Sequence, residues 1–392
     1  MNVGLGFGLG QPWLVLGGAL GLGYVGLRLR DARKLRTLGE KEPARLEGPP
    51  PRRPRRAVGP ATADPADMDA LVEEMLAQGR YALLLRPQIA ATLSQEQFRR
   101  ALAALEEDMA LVPDGDVFLG PIDEVAEDGR LDETALAEGP GRIVQVQRFF
   151  LDRYPVTNAQ YEAFVAAGGY EQPALWDPSI LPAVLDFVDQ TGRPGPRYWR
   201  DGTFPPGRED HPVVGVNWYE ASAYARWVGK RLPSDAEWVK AASWPVRLSP
   251  TMRLQRRYPW GDTMDRTKAN VWGSGPGDTV PVQQFAAGVS VGGVYQMTGN
   301  VWEWMRGNYL PPDGSDGQWA AEIGLKSLRG GAFDTYFDNQ ATCQFQSGDA
   351  AVARKPNIGF RLALGACDVV LAWPGSERPD APAAPGNPEV QP

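Results

Sequence analysis

The chain has 392 residues, 43% of them hydrophobic, with 45 Gly and 36 Pro; that is enough for two or three domains with a packed core and too many turn formers for a helical bundle. A single His excludes sites needing two or three imidazoles, and two Cys exclude a four-cysteine zinc site, a single-chain iron–sulfur cluster and a disulfide-dense scaffold. The formal charge is −8, and residues 28–56 hold 11 Lys/Arg against 4 Asp/Glu, which leaves residues 57–392 at −15; an acidic body repels phosphate backbones, so nucleic acid is not an expected partner.

Residues 1–27 carry no charged side chain, and the apolar run 3–27 exceeds the ~20 residues that cross ~30 Å of hydrocarbon as a helix. The expectation is a transmembrane anchor over 1–27. Arg28, Arg30, Arg33, Lys34 and Arg36 follow it directly, so the positive-inside rule predicts a single-pass cell-membrane protein with its C-terminal domain in the cytoplasm. Residues 28–65 read as a basic, Pro-rich linker. Between 66 and 112 two amphipathic helices are expected, one burying Leu71, Val72, Met75 and Leu76, the other Phe98, Ala101, Leu102, Leu105 and Met109; they form a docking hairpin or a collar on the domain that follows. Ser94 with Gln97 marks the second start as a capping box.

Residues 113–372 form the main domain, and 373–392, again rich in Pro, a disordered tail. Within the domain, Thr157 with Gln160, Asn217 with Glu220 and Ser234 with Glu237 each set a capping side chain three residues before a Glu or Gln, predicting three more helix starts. Gly229 suits the left-handed residue that ends the middle one. Most of the tryptophans, among them Trp218, Trp227, Trp238, Trp260, Trp302 and Trp304, are expected to be core residues.

Seven blocks recur in order: FFLDRYPVTNAQYEAFV from 149, HPVVGVNWYEASAYARWVGKRLPSDAEWVKAA from 211, YPWGD from 258, Ala269-Asn270, GVYQMTGNVWEWM from 293, LRGGAF from 328 and NIGFRLA from 357. In this string the chain resembles the formylglycine-generating enzyme, or sulfatase-modifying factor, family across essentially the whole domain. The resemblance implies an α+β, C-type-lectin-like fold with little regular secondary structure. It also implies two cysteine thiolates holding Cu(I), which activates oxygen to turn a substrate cysteine into formylglycine; soft thiolates select that ion. Those two positions are here Thr335 and Gln340, neither of which can act as a thiolate. Cys343 is close by but single, and Cys367 lies past the last block, so copper is not expected. A second branch of the family uses histidine-bound iron, which the lone His211 does not support.

Calcium is the cofactor the resemblance leaves open. It implies ligands around the GNVWEW block, namely the Gly299 and Val301 carbonyls, the Glu303 carboxylate and Gln296, and a second set from Asn270, the Val271 carbonyl and Asp278. Asn270 and Asn300 read equally well as turn formers. The segment Asp334, Thr335, Tyr336, Phe337, Asp338 and Asn339 has the composition of a protein-contact surface. Glu303, Arg329 and Arg361 are expected to pair inside the protein. Taken together, the sequence points to a membrane-anchored, catalytically inactive domain that binds a protein or peptide in a membrane complex. The alternatives are a formylglycine-generating-type oxidase acting on a peptide cysteine, and a carbohydrate-binding module.

Overall fold

The computed structural model describes residues 65–121, 124–133, 141–311 and 323–374. The fold is α+β, with short strands and long connections. The helices Pro65–Ala77 and Gln95–Asp108 come first, with single helical turns Tyr81–Leu84 and Pro87–Ala90 between them. Ser94 caps the second with a complete capping box. This helix stops at Asp108 because Met109 is already extended and begins the strand Met109–Val112, so Met109 is buried from a strand rather than from a helix.

Val72, Met75, Phe98, Ala101 and Leu105 bury together with Tyr81 and Leu84 against Phe150, Leu364 and Val369 of the main domain. Leu71, expected on the buried face, is 49% exposed. Lys230 ties the two layers together: its Nζ donates to Tyr81 Oη at 2.6 Å and to Asp152 Oδ1 at 2.8 Å, all three buried or nearly so. The helices are therefore a collar packed on the domain, continuous with its core.

Among the described residues no helix is long and apolar enough to cross a membrane. Helix Gln95–Asp108 has 14 residues, about 21 Å at 1.5 Å per residue, well short of the ~30 Å needed. The expectation of a preceding transmembrane helix is corrected on that finding, and with it the membrane-anchored scaffold, the membrane complex and the single-pass topology with a cytoplasmic domain. The segment expected to span, 1–27, lies outside the described residues, as do most of the 28–65 linker and the tail from 375.

Strand Phe149–Asp152 is central to a three-stranded antiparallel sheet, flanked by Met109–Val112 and Ala363–Gly365. A four-stranded sheet runs Ser347–Ala350, Leu325–Arg329, Trp302–Asn308 and Ile358–Gly359, its last pair parallel. Strand Gly115–Leu119 pairs with Arg142–Val146. Helices Asn158–Ala166, Trp218–Trp227 and Asp235–Ser243 all begin with complete capping boxes at Thr157, Asn217 and Ser234. Gly229, at φ +79°, turns the chain out of the second of these.

The aromatic residues explain how so little regular structure holds together. Tyr161 stacks on Tyr224 at 5.3 Å and meets Phe164, Trp199 and Phe360 edge-on, with Trp227 and Trp304 in the same cluster. Each large ring joins several loops that lack strand partners, and truncating one to Ala costs about 3–5 kcal/mol. Trp238 and Trp304 are fully buried, whereas Trp218, Trp260 and Trp302 lie at the edges of the core.

Candidate functional site

Three loops meet at one end of the domain. The chain at Asn270 bridges Gly299 in parallel fashion, and Asn300 N–H donates to the Asn270 carbonyl at 2.8 Å. Gly299 N–H reaches the Gly330 carbonyl at 2.9 Å, and Trp272 N–H reaches the Thr335 carbonyl at 3.2 Å. Gly299 must be glycine: its φ is +80°, and a Cβ would stand 2.5 Å from the Asn270 carbonyl oxygen.

An amide network fills the junction. Asn270 Nδ2 donates to the Asp278 carbonyl at 2.9 Å and to Asn300 Oδ1 at 3.1 Å. Asn300 Nδ2 donates to Gln296 Oε1 at 2.6 Å, and Gln296 Nε2 donates to the Pro281 carbonyl at 3.0 Å. Gln296 and Asn300 both sit at positive φ, +53° and +66°, which directs their amides inward. Asn270 Oδ1 is buried with no partner.

The expected calcium ligands meet only in part. Asn270, Gln296 and Gly299 come together, but the Val271 carbonyl accepts from Ser274 and the Gly299 carbonyl from Val301 N–H. The Asp278 carboxylate faces outward to Arg208 at 2.7 Å. Glu303 is committed elsewhere. Its Oε1 accepts from Arg361 Nη2 at 2.7 Å, and its Oε2 from Arg361 Nε and Trp238 Nε1, both at 2.8 Å, with both charged residues at or below 1% exposure. Unpaired hard oxygens are thus fewer than the 6–8 that Ca²⁺ takes. Among the described residues no three of His, Cys, Asp and Glu cluster for a metal.

The soft-metal site does not fit either. Thr335 Oγ1 accepts from Ala332 N–H at 2.8 Å, closing the turn after Gly330 and Gly331. Gln340 lies in the helical turn Asp338–Ala341. Cys343 is fully buried among Trp238, Met297 and Met305, and burial pushes its thiol pKa far up, away from the thiolate a metal needs. Cys367 is exposed on the turn Ala366–Asp368. Thr335, Gln340 and the buried Cys343 do not offer the thiolate pair that the resemblance implies. His211, half-buried, shares Nδ1 with Thr279 Oγ1 at 3.0 Å and Arg208 Nη1 at 3.1 Å, and burial and Arg208 lower its pKa; it fastens a loop.

The outer face of the junction is aromatic. Tyr336 and Phe337 are 61% and 59% exposed and meet edge-on at 5.1 Å, while Trp272, 54% exposed, lies 6.4 Å from Tyr336. Arg266 ties the two backbone segments together, donating to the Trp272 carbonyl at 2.6 Å, the Tyr336 carbonyl at 3.1 Å and Asp338 Oδ1 at 2.6 Å. Asp334 accepts from Asn357 Nδ2 at 2.9 Å, Asn339 is exposed, and Thr335 points inward. Sequence reasoning missed Trp272 and Arg266. The only signal was their nearness to the Ala269-Asn270 block.

Residues 94–366 match the sulfatase-modifying factor enzyme 1-like domain. The chain is 37% identical over 203 residues to a hercynine oxygenase of Mycolicibacterium smegmatis, covering 50% of this chain and 44% of that protein. It is 36% identical over 245 residues to the serine/threonine-protein kinase Pkn1 of Chlamydia trachomatis, covering 60% and 35%. It is 35% identical over 239 residues to a formylglycine-generating enzyme of Thermomonospora curvata, covering 53% and 73%. The chain spans about half the length of the first curated relatives it matches, 44% and 53%. The expectation of a catalytically inactive scaffold is corrected by these relatives, which bear the names of enzymes.

Proposed function

This chain belongs to the sulfatase-modifying factor enzyme 1-like family, and on that premise we propose that it binds a cysteine-bearing peptide across Trp272, Tyr336 and Phe337 for oxidation of formylglycine-generating type, in which dioxygen and two electrons from a thiol reductant turn the cysteine into an aldehyde with release of sulfide and water, the oxygen-activating metal being supplied from outside the residues at Thr335 and Gln340. The observation that carries the binding face is an aromatic trio left exposed on backbone segments that Arg266 ties together. A few side chains, enriched in Trp, Tyr and Arg, carry most of the binding energy in protein contacts. The names of the relatives support oxidation as the reaction class.

The residues of this chain act here by binding and orientation. The three rings take the apolar side chains of the peptide, and Asp338, neutralised by Arg266, leaves the face without a buried unpaired charge. The family's thiolate positions contribute a hydroxyl already bonded to the backbone at Thr335 and an amide at Gln340. The purified protein should therefore be incubated in air with a cysteine-bearing peptide and a thiol reductant, with and without added copper, and the peptide scored by mass spectrometry and by aldehyde-selective labelling. The expected result is an aldehyde product that depends on dioxygen and falls in Trp272→Ala and Tyr336→Ala. An unmodified peptide under both conditions would overturn the reading.

Asn270 Oδ1 is an unpaired oxygen at this turn, but with the Val271 and Gly299 carbonyls, Asp278 and Glu303 engaged elsewhere, calcium is not carried into the proposal.

A further inference from the structure

On the side of the domain where strand Gly115–Leu119 meets helix Asp235–Ser243, a cavity of about 210 Å³ opens between Lys240, Trp244, Asp114, Asp116, Arg247 and Arg253. Lys240 is 6% exposed. Its ammonium has no hydrogen-bond or ion-pair partner among the described residues, whereas the other cations around it are all paired. Arg247 Nη2 donates to Asp116 Oδ2 at 3.0 Å. Arg253, itself buried, donates to Asp116 Oδ2 at 3.3 Å and to Glu133 Oε1 at 2.7 Å. Asp114 pairs with Arg148 at 3.6 Å. Both acids of the lining are thus hydrogen-bonded or ion-paired to arginines, and Lys240 has no anion bonded directly to it.

The walls are built to hold that lysine against the cavity. Gly115, at φ +134°, carries no Cβ, and one placed there would stand 3.1 Å from Lys240 Nζ; the position keeps clear the space the ammonium occupies. Trp244 ends the helix in the left-handed region, at φ +45°, a place where Gly is usual and a bulky side chain rare. Trp244 also lines the cavity, and an edge of its indole packs over Gly292. Val112, Pro113 and Pro245 complete an apolar side.

We infer that this cavity binds a small organic carboxylate with a flat apolar body, its carboxylate paired to Lys240 Nζ and its body against Trp244. The chemistry follows from the inventory. The stem of Lys240 is buried and its ammonium opens on the cavity with no anion bonded to it, so an entering carboxylate would pair with it, and the lining offers one excess positive charge, an aromatic residue and an apolar side. Burial also drives the Lys240 pKa down, with Asp116 and Asp114 opposing, as expected of an ammonium lacking a direct counter-ion. The volume is below the ~300–1,000 Å³ of drug-sized pockets, which limits the ligand to about one ring with its substituent. None of the residues proposed to bind peptide lines this cavity, so the two readings stand or fall separately.

Calorimetry on the full chain tests the inference with sodium benzoate, benzamide and inorganic phosphate as probes. The expected result is saturable benzoate binding, with benzamide and phosphate each weaker by about tenfold or more. Lys240→Met should lose benzoate binding to the same extent, and Lys240→Arg should retain part of it. No benzoate binding, equal binding of benzamide or phosphate, or unchanged affinity in a Lys240→Met variant with native circular dichroism would each overturn the inference. Should Lys240→Met not fold, the comparison of benzoate with benzamide on the unaltered protein decides.

Discussion

Glu303→Gln separates two roles for one carboxylate. The structure commits both oxygens to Arg361 and Trp238 at 2.7–2.8 Å, with Glu303 at 1% and Arg361 at 0% exposure. The amide has one acceptor where the carboxylate had two, so its NH₂ group must face a donor, either Arg361 or Trp238 Nε1. Arg361 keeps its bonds to the Tyr295 and Asp152 carbonyls but loses its only counter-charge. Breaking one side of a buried ion pair costs about 3–5 kcal/mol. With a urea m-value of ~3 kcal/mol/M, the unfolding midpoint should fall by about 1–1.7 M. The measurement is urea unfolding followed by far-UV circular dichroism, run once in chelator and once in excess Ca²⁺. An ion-pair role predicts the same shift in both. A shift below about 0.3 M in chelator, or one confined to the calcium samples, would refute the ion-pair account and return Glu303 to the calcium ligands. Replacing both partners with apolar residues, Glu303→Leu with Arg361→Met, should recover part of the loss, since the uncompensated charge goes with the pair.

The other predictions concern separate parts of the molecule. Tyr336→Ala and Phe337→Ala remove exposed rings, so the unfolding free energy should stay within about 0.5 kcal/mol of the parent while peptide turnover drops; parallel loss of stability would mean that the rings are structural. A thiol reagent should titrate Cys367 at once and Cys343 only on unfolding, because Cys343 is buried with its pKa raised; two fast thiols would contradict the buried placement. Glu237 is pushed up by burial but held lower still by Arg231 and Ser234, with a net fall in pKa. Its contribution is therefore present above the ordinary Glu value of ~4.3 and lost as pH falls through the depressed folded value. Glu237→Gln should flatten the acid limb of stability below about pH 4.5, and an unchanged limb would count against the pair. Calcium titrated into metal-stripped protein should leave the melting temperature unchanged; heat with a raised melting temperature would return Asn270, Val271, Asp278, Gln296, Gly299 and Val301 to consideration as ligands.

Local rules carried the sequence reading furthest. All four capping boxes are within reach of three residues, so the pattern in the chain is already the hydrogen-bonded pair. The same holds for Gly229, whose conformation depends on its own missing Cβ. The order of blocks identified the family, and the positions where the resemblance implies thiolates hold Thr335 and Gln340. Composition was less reliable for the helical collar: Leu71 fits the apolar periodicity, yet its neighbours Val72 and Met75 take the buried face.

Amino-acid order by itself determined where helices begin and that aromatic rings would carry a loop-rich core. Tertiary structure alone decided that Glu303 meets Arg361 across 58 positions, that Tyr336 and Phe337 turn outward with Trp272, and that Lys240 faces a cavity without a partner. The division has one cause: a cap is satisfied within a turn of its own residue, whereas the partner of a buried charge, or its absence, depends on which distant strand or loop the fold brings beside it.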